Sequence, residues 1–398
     1  MIPNLDSQIA ITVYSTEFDG IGGKIKVEPE DFYVTELISQ KAQNSINDQE
    51  GYTVYKLTKK KIDTNHALSD VFRKKGIRLK SLGLKDASAV TEQFVCSGNK
   101  GKTIENFSTD KYSLEKIGFV KKPLSKKDMI SNRFKIKISD CSNDLPSFTE
   151  YDKILNFYGY QRFGSKRPVT HLIGKAILQR DFKKAVELIL SFTSPYDSKE
   201  NTEIREKLSD KENYEKYFDQ VPHQMDIERI VLKEMIKHGD ALRAIRSIQI
   251  SLRRFYIQAY QSFLFNQSLS SAFSDGENLF DAQLNDVCFD FHGIIGKYVK
   301  GLDQRLALPF VGYSYYKKTR FNYQISKILE QEEITPKDFF IKEMQEVSSE
   351  GGFRQAVIHC FDYSSSDTTI EFSLSRGSFA TILLREIMKP KDPIIAGF

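Results

Sequence analysis

Residues 81–96, SLGLKDASAVTEQFVC, place Lys85 and Asp86 side by side between two apolar runs. Leu79, Leu82 and Leu84 precede the pair, and Ala89, Val90, Phe94 and Val95 follow it. A carboxylate at the edge of a core can attack carbon as a nucleophile or remove a proton as a base. Either role needs it ionised, and burial alone opposes ionisation. A Lys-Asp pair on its own is more often a surface turn. Three other stretches raise the same question. KVEPEDFYVTE (26–36) begins with Lys26, NFYGYQRFGSKRP (156–168) interleaves four aromatic residues with Asn156, Gln161 and Arg162, and SLSRGSFATILLRE (373–386) carries Phe379 and Arg385. Taken singly, each has an ordinary reading. Lys26 would be a solvated edge lysine, and Phe157, Tyr158, Tyr160 and Phe163 would be core packing. Phe379 would pack under its own helix.

Other chemistries lack their motifs. DGIGG (19–23) is glycine-rich but leads into a strand, with the wrong spacing for a dinucleotide loop. No phosphate-binding G-x-x-x-x-G-K-[ST] loop and no G-x-S-x-G elbow occurs. The four cysteines, Cys96, Cys141, Cys288 and Cys360, form no C-x-x-C pair, which argues against a disulfide framework and fits a reducing cytosol. The six histidines are scattered, so no metal is expected. A reaction needing neither nucleotide cofactor nor metal fits best.

The chain has 398 residues, 40% hydrophobic and 28% charged, an ordinary globular balance for two or three domains. No secretory signal and no membrane-length apolar run is visible. Net charge is only +5, yet basic residues cluster at 55–61, 71–80, 120–127 and 132–137, the footprint of a polyanion partner.

The elements that must position these residues change in character along the chain. Alternation predicts strands at 24–27, 32–37, 52–57, 134–138 and 369–374. Asp63 or Thr64 begins a helix that Gly76 stops. Helices are also expected at 147–155, 170–192 and 240–273, with a charged, solvent-exposed stretch at 194–220. A last helix at 379–389 has Ser378 available as its cap. A β-rich start, a helical middle and a β-rich end predict a helical insertion within one split domain.

Together, K-x-x-PEDF-x-V-x-E, G-x-KD-x-x-AVTEQ, N-x-x-G-x-QRFG and GSFAT-x-x-x-RE, in this order, resemble the TruD family of RNA pseudouridine synthases. AYQSFLFNQSLS (259–270) and LPFVGYS (308–314) resemble that family's insertion. The resemblance implies an α+β fold: a circularly permuted pseudouridine synthase core, with a mixed, largely antiparallel sheet and flanking helices, plus a mainly helical insertion domain. The core would comprise 1–166 and 350–398, and the insertion 167–349. Asp86 falls on the catalytic aspartate, Lys26 on the active-site basic residue and Asn156 on the active-site asparagine. Tyr158 falls where bacterial members place a base-stacking phenylalanine, and Phe379 on a second pocket aromatic. Gln161, Arg162 and Arg385 would touch RNA, orient Asp86 or tie elements together, and a structural role is favoured for Arg385.

The implied reaction breaks the N1–C1′ bond of a uridine, turns the uracil and rejoins it through C5. No atom is gained, so no cofactor is demanded. Asp86 would act at C1′ or on the 2′ proton, kept ionised by Lys26 with hydrogen bonds from Asn156 or backbone N–H groups. The implied partner is tRNA, with position 13 the family's usual target, although relatives modify other RNAs. Basic segments would hold the surrounding phosphates. The implied setting is cytoplasmic, without a membrane or an obligate protein partner. The alternative is a catalytically silent RNA-binding protein or chaperone on the same scaffold.

Overall fold

The computed structural model describes residues 1–85, 87–142, 145–290 and 293–398, so Asp86 lies outside the described residues. Among those described, ten strands form one sheet. Across it run Lys153–Leu155, Val357–Ser366, Thr369–Ser375, Met129–Lys137, Phe32–Ile38, Val90–Ser97, Tyr52–Lys59, Tyr112–Val120 and Phe107–Ser108, with Leu79–Ser81 also on Val90–Ser97. Every pairing among these is antiparallel except that of Phe32–Ile38 with Val90–Ser97. The fold is α+β, as expected.

Side-chain alternation decides which face of this sheet is dry. Phe32, Val34, Glu36 and Ile38 are buried, while Tyr33, Thr35 and Leu37 are half-buried. On the neighbouring strand Phe134 and Ile136 turn inward, and Arg133, Lys135 and Lys137 turn out to solvent. Two of those cations meet Glu371, at 2.9 and 3.2 Å. The basic run at 132–137 therefore decorates the wet face of the sheet.

The helix expected after 62 is present as Thr64–Lys75. Asp63 accepts from the His66 N–H at 3.1 Å, and Gly76 ends it at φ +67°. Elsewhere tertiary contacts override local propensity. The segment 170–192 is two helices, Thr170–Leu178 and Phe182–Ser191, because Arg180 turns left-handed at φ +60°. Its guanidinium is held there by the Asp338 and Phe340 carbonyls at 2.9 and 2.8 Å. Likewise 240–273 divides into Ala241–Ser247 and Ile250–Ser274. The stretch at 147–155 is a short 3-10 turn, Leu145–Glu150, followed by the strand Lys153–Leu155, which pairs with Val357–Ser366. The charged region 194–220 is not all exposed: Arg205 is buried against Glu228 and Asp197, at 2.7 and 3.1 Å. Ser378 is not the cap expected of it. Phe379 itself occupies the N-cap position of Ala380–Met388, without a side-chain cap bond.

A small sheet joins Ile295–Lys297, Val287–Phe289 and Arg305–Phe310 of the middle of the chain to Gly352–Gln355 beyond it. In the middle of the chain, the Thr170–Leu178 helix lies directly on Ile250–Ser274. A Cβ added at Gly174 would stand 2.1 Å from the Tyr256 carbonyl oxygen, so only glycine permits this approach. The main apolar cluster runs without interruption from Leu5 through this helical layer to Phe398. Among the described residues, no helix is long and apolar enough to cross a membrane.

The last helix is anchored electrostatically. Arg385 is fully buried, and its Nε donates to Asp6 at 2.5 Å and Nη1 to Glu386 at 3.2 Å. Tyr14 lies 4.0 Å beneath the guanidinium, and Tyr160 donates to Asp6 at 2.7 Å. Glu386 in turn accepts from the Ser15 N–H and the Thr16 hydroxyl, both at 3.1 Å. These contacts tie the last helix to the N-terminal segment. Removing one partner of a buried pair strands the other charge. Asp6→Ala should therefore destabilise the fold by about 3 kcal/mol, read as a lower urea midpoint; an unchanged midpoint would contradict this anchoring role.

Candidate active site

On the dry face of the sheet, a cavity of about 250 Å³ opens above the parallel strand pair. Phe32, Val34, Thr91 and Phe134 are among its floor residues. Its walls come from four distant segments: Lys26, then Leu84, Lys85 and Ser88, then Gln161, and finally Phe379 with Ala380 and Thr381. All four sequence motifs thus contribute. Of the expected site residues, Lys26, Gln161 and Phe379 line the cavity. Asp86 lies outside the described residues, though Lys85 and Ser88 on either side of it in sequence are cavity-lining.

Lys26 reaches this position through backbone geometry that the sequence did not announce. The expected strand at 24–27 stops at Lys24, and Lys26 adopts φ +58°, a conformation costly for a residue with a Cβ. The Ile25 N–H donates to the Ala396 carbonyl at 2.9 Å, so the C-terminal tail braces this turn. A Pro29–Asp31 turn follows, closed by reciprocal bonds between Glu28 and Asp31. The Lys26 ammonium then stands 5.1 Å from the centre of the Phe32 ring.

The loop before Asp86 is fixed on three sides. Gln93 donates to the Gly83 carbonyl at 3.1 Å, and Thr64 accepts from the Lys85 N–H at 2.9 Å. The Lys85 ammonium donates to Asn132 at 2.5 Å and stands 3.8 Å from Glu36. Glu36 is buried and accepts from the Phe94 N–H at 2.9 Å, but its Oε1 has no hydrogen-bond partner among the described residues. Burial raises its pKa above the ordinary 4.5, against the opposing pull of Lys85 and the Phe94 N–H.

Asn156 and Tyr158 stand behind the cavity. Asn156 is buried, its Nδ2 donating to the Gln355 carbonyl at 2.9 Å and its Oδ1 accepting from Arg354 at 2.7 Å. The Tyr158 ring lies 5.9 Å from Phe379, 5.7 Å from Phe265 and 5.9 Å from Phe310. Phe379 is thus the aromatic residue on the cavity wall, over the floor residues Phe32 and Phe134, and Tyr158 backs it. Arg162 is sandwiched near Tyr158 and Phe255, at 5.4 and 5.1 Å, and burial lowers its pKa. Lys85, Asn132, Glu36 and Arg354 received no role from sequence. Glu36 had a legible signal, a carboxylate on the apolar parity of an alternating strand. Arg354 had none, because it lies outside every motif.

The family model for tRNA pseudouridine synthase D (TruD) matches residues 8–387. The chain belongs to the TruD family. As a member it is an RNA pseudouridine synthase, an isomerase. Its similarity is full-length. A probable tRNA pseudouridine synthase D of Pyrobaculum islandicum is 29% identical over 100% of this chain and 99% of that relative. That of Archaeoglobus fulgidus is 30% identical over 97% and 99%. The crystal structure of a TruD protein from Methanosarcina mazei superposes with a TM-score of 0.81 at 25% identity, covering 99% of each chain. The pseudouridine synthase fold expected from the four motifs is therefore present.

Glu36 gives the candidate site a pH signature. Below about pH 4.5 the carboxyl is protonated in the folded and unfolded chain alike, and it affects neither. Above that, the unfolded chain ionises first while the folded one still holds its proton, so this group's contribution makes stability fall as pH rises through the raised folded value. Glu36→Gln should remove that component: the urea midpoint of the variant relative to the parent should climb from pH 4.5 upward. A flat difference across that window would refute the assignment.

Proposed function

We propose that this chain converts uridine 13 of tRNA to pseudouridine, with Asp86 as the catalytic carboxylate and no cofactor. The observation that carries this reading is the cavity where Lys26, Lys85, Ser88, Gln161 and Phe379 meet from four separate segments. In this reading residues 1–166 and 350–398 form the catalytic domain, and 167–349 the insertion that helps hold the RNA.

The target uridine leaves its stack at a cost of a few kcal/mol, partly recovered against Phe379, with Tyr158 supporting that ring from behind. Asp86 then attacks C1′ or removes the 2′ proton, releasing uracil to turn and rejoin through C5. Both routes require the anion. Lys26, which lines the cavity with Lys85, is assigned the part of holding it, since a neighbouring opposite charge offsets the cost of burying a carboxylate. The phosphates flanking the uridine would fall to exposed lysines of the same part of the chain, which makes binding salt-dependent.

The test is release of tritium to water from unmodified tRNA labelled at uracil C5, with nothing else added. Asp86→Asn should keep tRNA affinity and lower turnover by more than about a hundredfold. Retained turnover would put the catalytic carboxylate elsewhere, and no release by the parent from any tRNA would favour a silent RNA-binding protein. Mapping the product separates position 13 from other uridines. Phe379→Ala should lower kcat/KM by roughly 5- to 150-fold, the equivalent of losing about 1–3 kcal/mol of base stacking; a value within twofold of the parent would remove Phe379 from the base.

A further inference from the structure

We infer that Arg354 is the positioning residue of the uracil pocket: it locks the Phe379 turn and Asn156 into one unit, with the Tyr158 ring as its seat. The inference rests on the reading of the cavity as the uracil site, and it concerns a residue that none of the four motifs contains.

Arg354 lies on Gly352–Gln355, opposite Leu308 of Arg305–Phe310. One nitrogen, Nη2, donates to the Asn156 side chain at 2.7 Å and to the Gly377 carbonyl at 3.1 Å. A second, Nε, donates to the Asn156 carbonyl at 3.3 Å. A single planar group therefore joins the segment after Leu155 to the turn before Phe379. The guanidinium carbon sits 4.0 Å from the centre of the Tyr158 ring and 5.7 Å from those of Phe265 and Phe379. Three rings thus surround the cation at distances where aromatic faces attract it.

Its neighbours are unusual in what they lack. Among the described residues, the groups that act on its charge are Tyr158, which supports it, and Arg162, which opposes it; no carboxylate is among them. Arg354 is half-buried, and with no carboxylate among its described neighbours the hydration it loses is offset by rings and carbonyl oxygens. That arrangement suits a wall that must not present a competing anion to a catalytic carboxylate. Asn156, in turn, has its amide engaged on both atoms, by Arg354 and by the Gln355 carbonyl. Its effect on the pocket passes through Arg354 to the Gly377–Phe379 turn. Tyr158 supplies a phenol that interacts with Arg354, which phenylalanine would not. Its hydroxyl thus acts on the reaction through the guanidinium.

Phe379→Trp provides a ring reporter that does not depend on turnover, since the chain has no tryptophan of its own. Arg354→Lys keeps the charge but loses the planar fork, and Arg354→Gln keeps donors but loses the charge. In the otherwise native chain, each should lower kcat by about tenfold or more, as expected for a misplaced pocket wall, with KM and tRNA affinity within about twofold of the parent. In the Phe379→Trp background, each should raise acrylamide quenching of the reporter. Tyr158→Phe should matter in the parent background and add nothing to Arg354→Lys. Parent-like kcat, or a rise in KM with kcat unchanged, would overturn the inference, as would unchanged quenching in a folded Arg354 variant. If one variant does not fold, the other carries the test. Should the parent itself release no tritium, the functional reading fails, while the quenching still decides whether Arg354 fixes the ring at position 379.

Discussion

The parallel pairing of Phe32–Ile38 with Val90–Ser97 governs the site. Two parallel strands cannot be joined by a tight hairpin, so the chain must cross over between them. That crossover contains Tyr52–Lys59, Thr64–Lys75 and the loop that precedes Val90. Because parallel strands begin at the same end, the segments leading into them emerge together. Tyr33 is in register with Val90, which brings the Lys26 turn beside the loop containing Lys85 and Ser88. The antiparallel partner Met129–Lys137 adds Asn132 and Phe134 on the same face. Elsewhere the antiparallel pairings contribute floor and rigidity; the parallel seam makes two distant motifs neighbours.

Much of this was legible in residue order, and the gaps have physical causes. Alternation identified Phe32–Ile38, Thr369–Ser375 and the second half of Met129–Lys137, since one wet and one dry face leave a period of two in the sequence, while residues 129–133 alternate less cleanly and were not expected. Thr64–Lys75 was legible because Asp63 and Gly76 mark its ends chemically. The break at Arg180 was not, because the residue's left-handed turn is stabilised by carbonyls some 160 positions away. The strand Lys153–Leu155 was missed for a similar reason: three residues carry no period, and their partner lies at Val357–Ser366. Lys26 shows the same limit at the site itself. Its type and motif drew attention to it, but its positive φ depends on bracing by the C-terminal tail.

Asn156 and Tyr158 illustrate a different gap. A motif records which residues matter, without recording how many layers separate them from the reacting atoms. Both belong to the same short stretch as Gln161, yet Gln161 lines the cavity while Asn156 and Tyr158 form the layer behind it. The intermediary, Arg354, comes from the strand Gly352–Gln355, beyond the whole helical middle. No local pattern distinguishes such an arginine from a surface one. Only its surroundings do, and those exist after folding.

The charged groups under the last helix and those around the cavity differ in what faces them. Arg385 is flanked by Asp6 and Glu386, so its desolvation is offset by two opposite charges. Around the cavity the compensation is of another kind. Arg354 is balanced by rings and carbonyl oxygens, and Glu36 by the Phe94 N–H and the Lys85 ammonium. Among the described residues, Glu36 Oε1 and Arg385 Nη2 are alike in being buried without a hydrogen-bond partner. Under the proposed function, rigidly held polar groups suit such a cavity, because dipoles already aimed at reacting atoms need little reorganisation. The anchoring of the last helix by Arg385 gives Phe379, at that helix's N-cap, a fixed base, and Arg354 holds the turn before it from the other side.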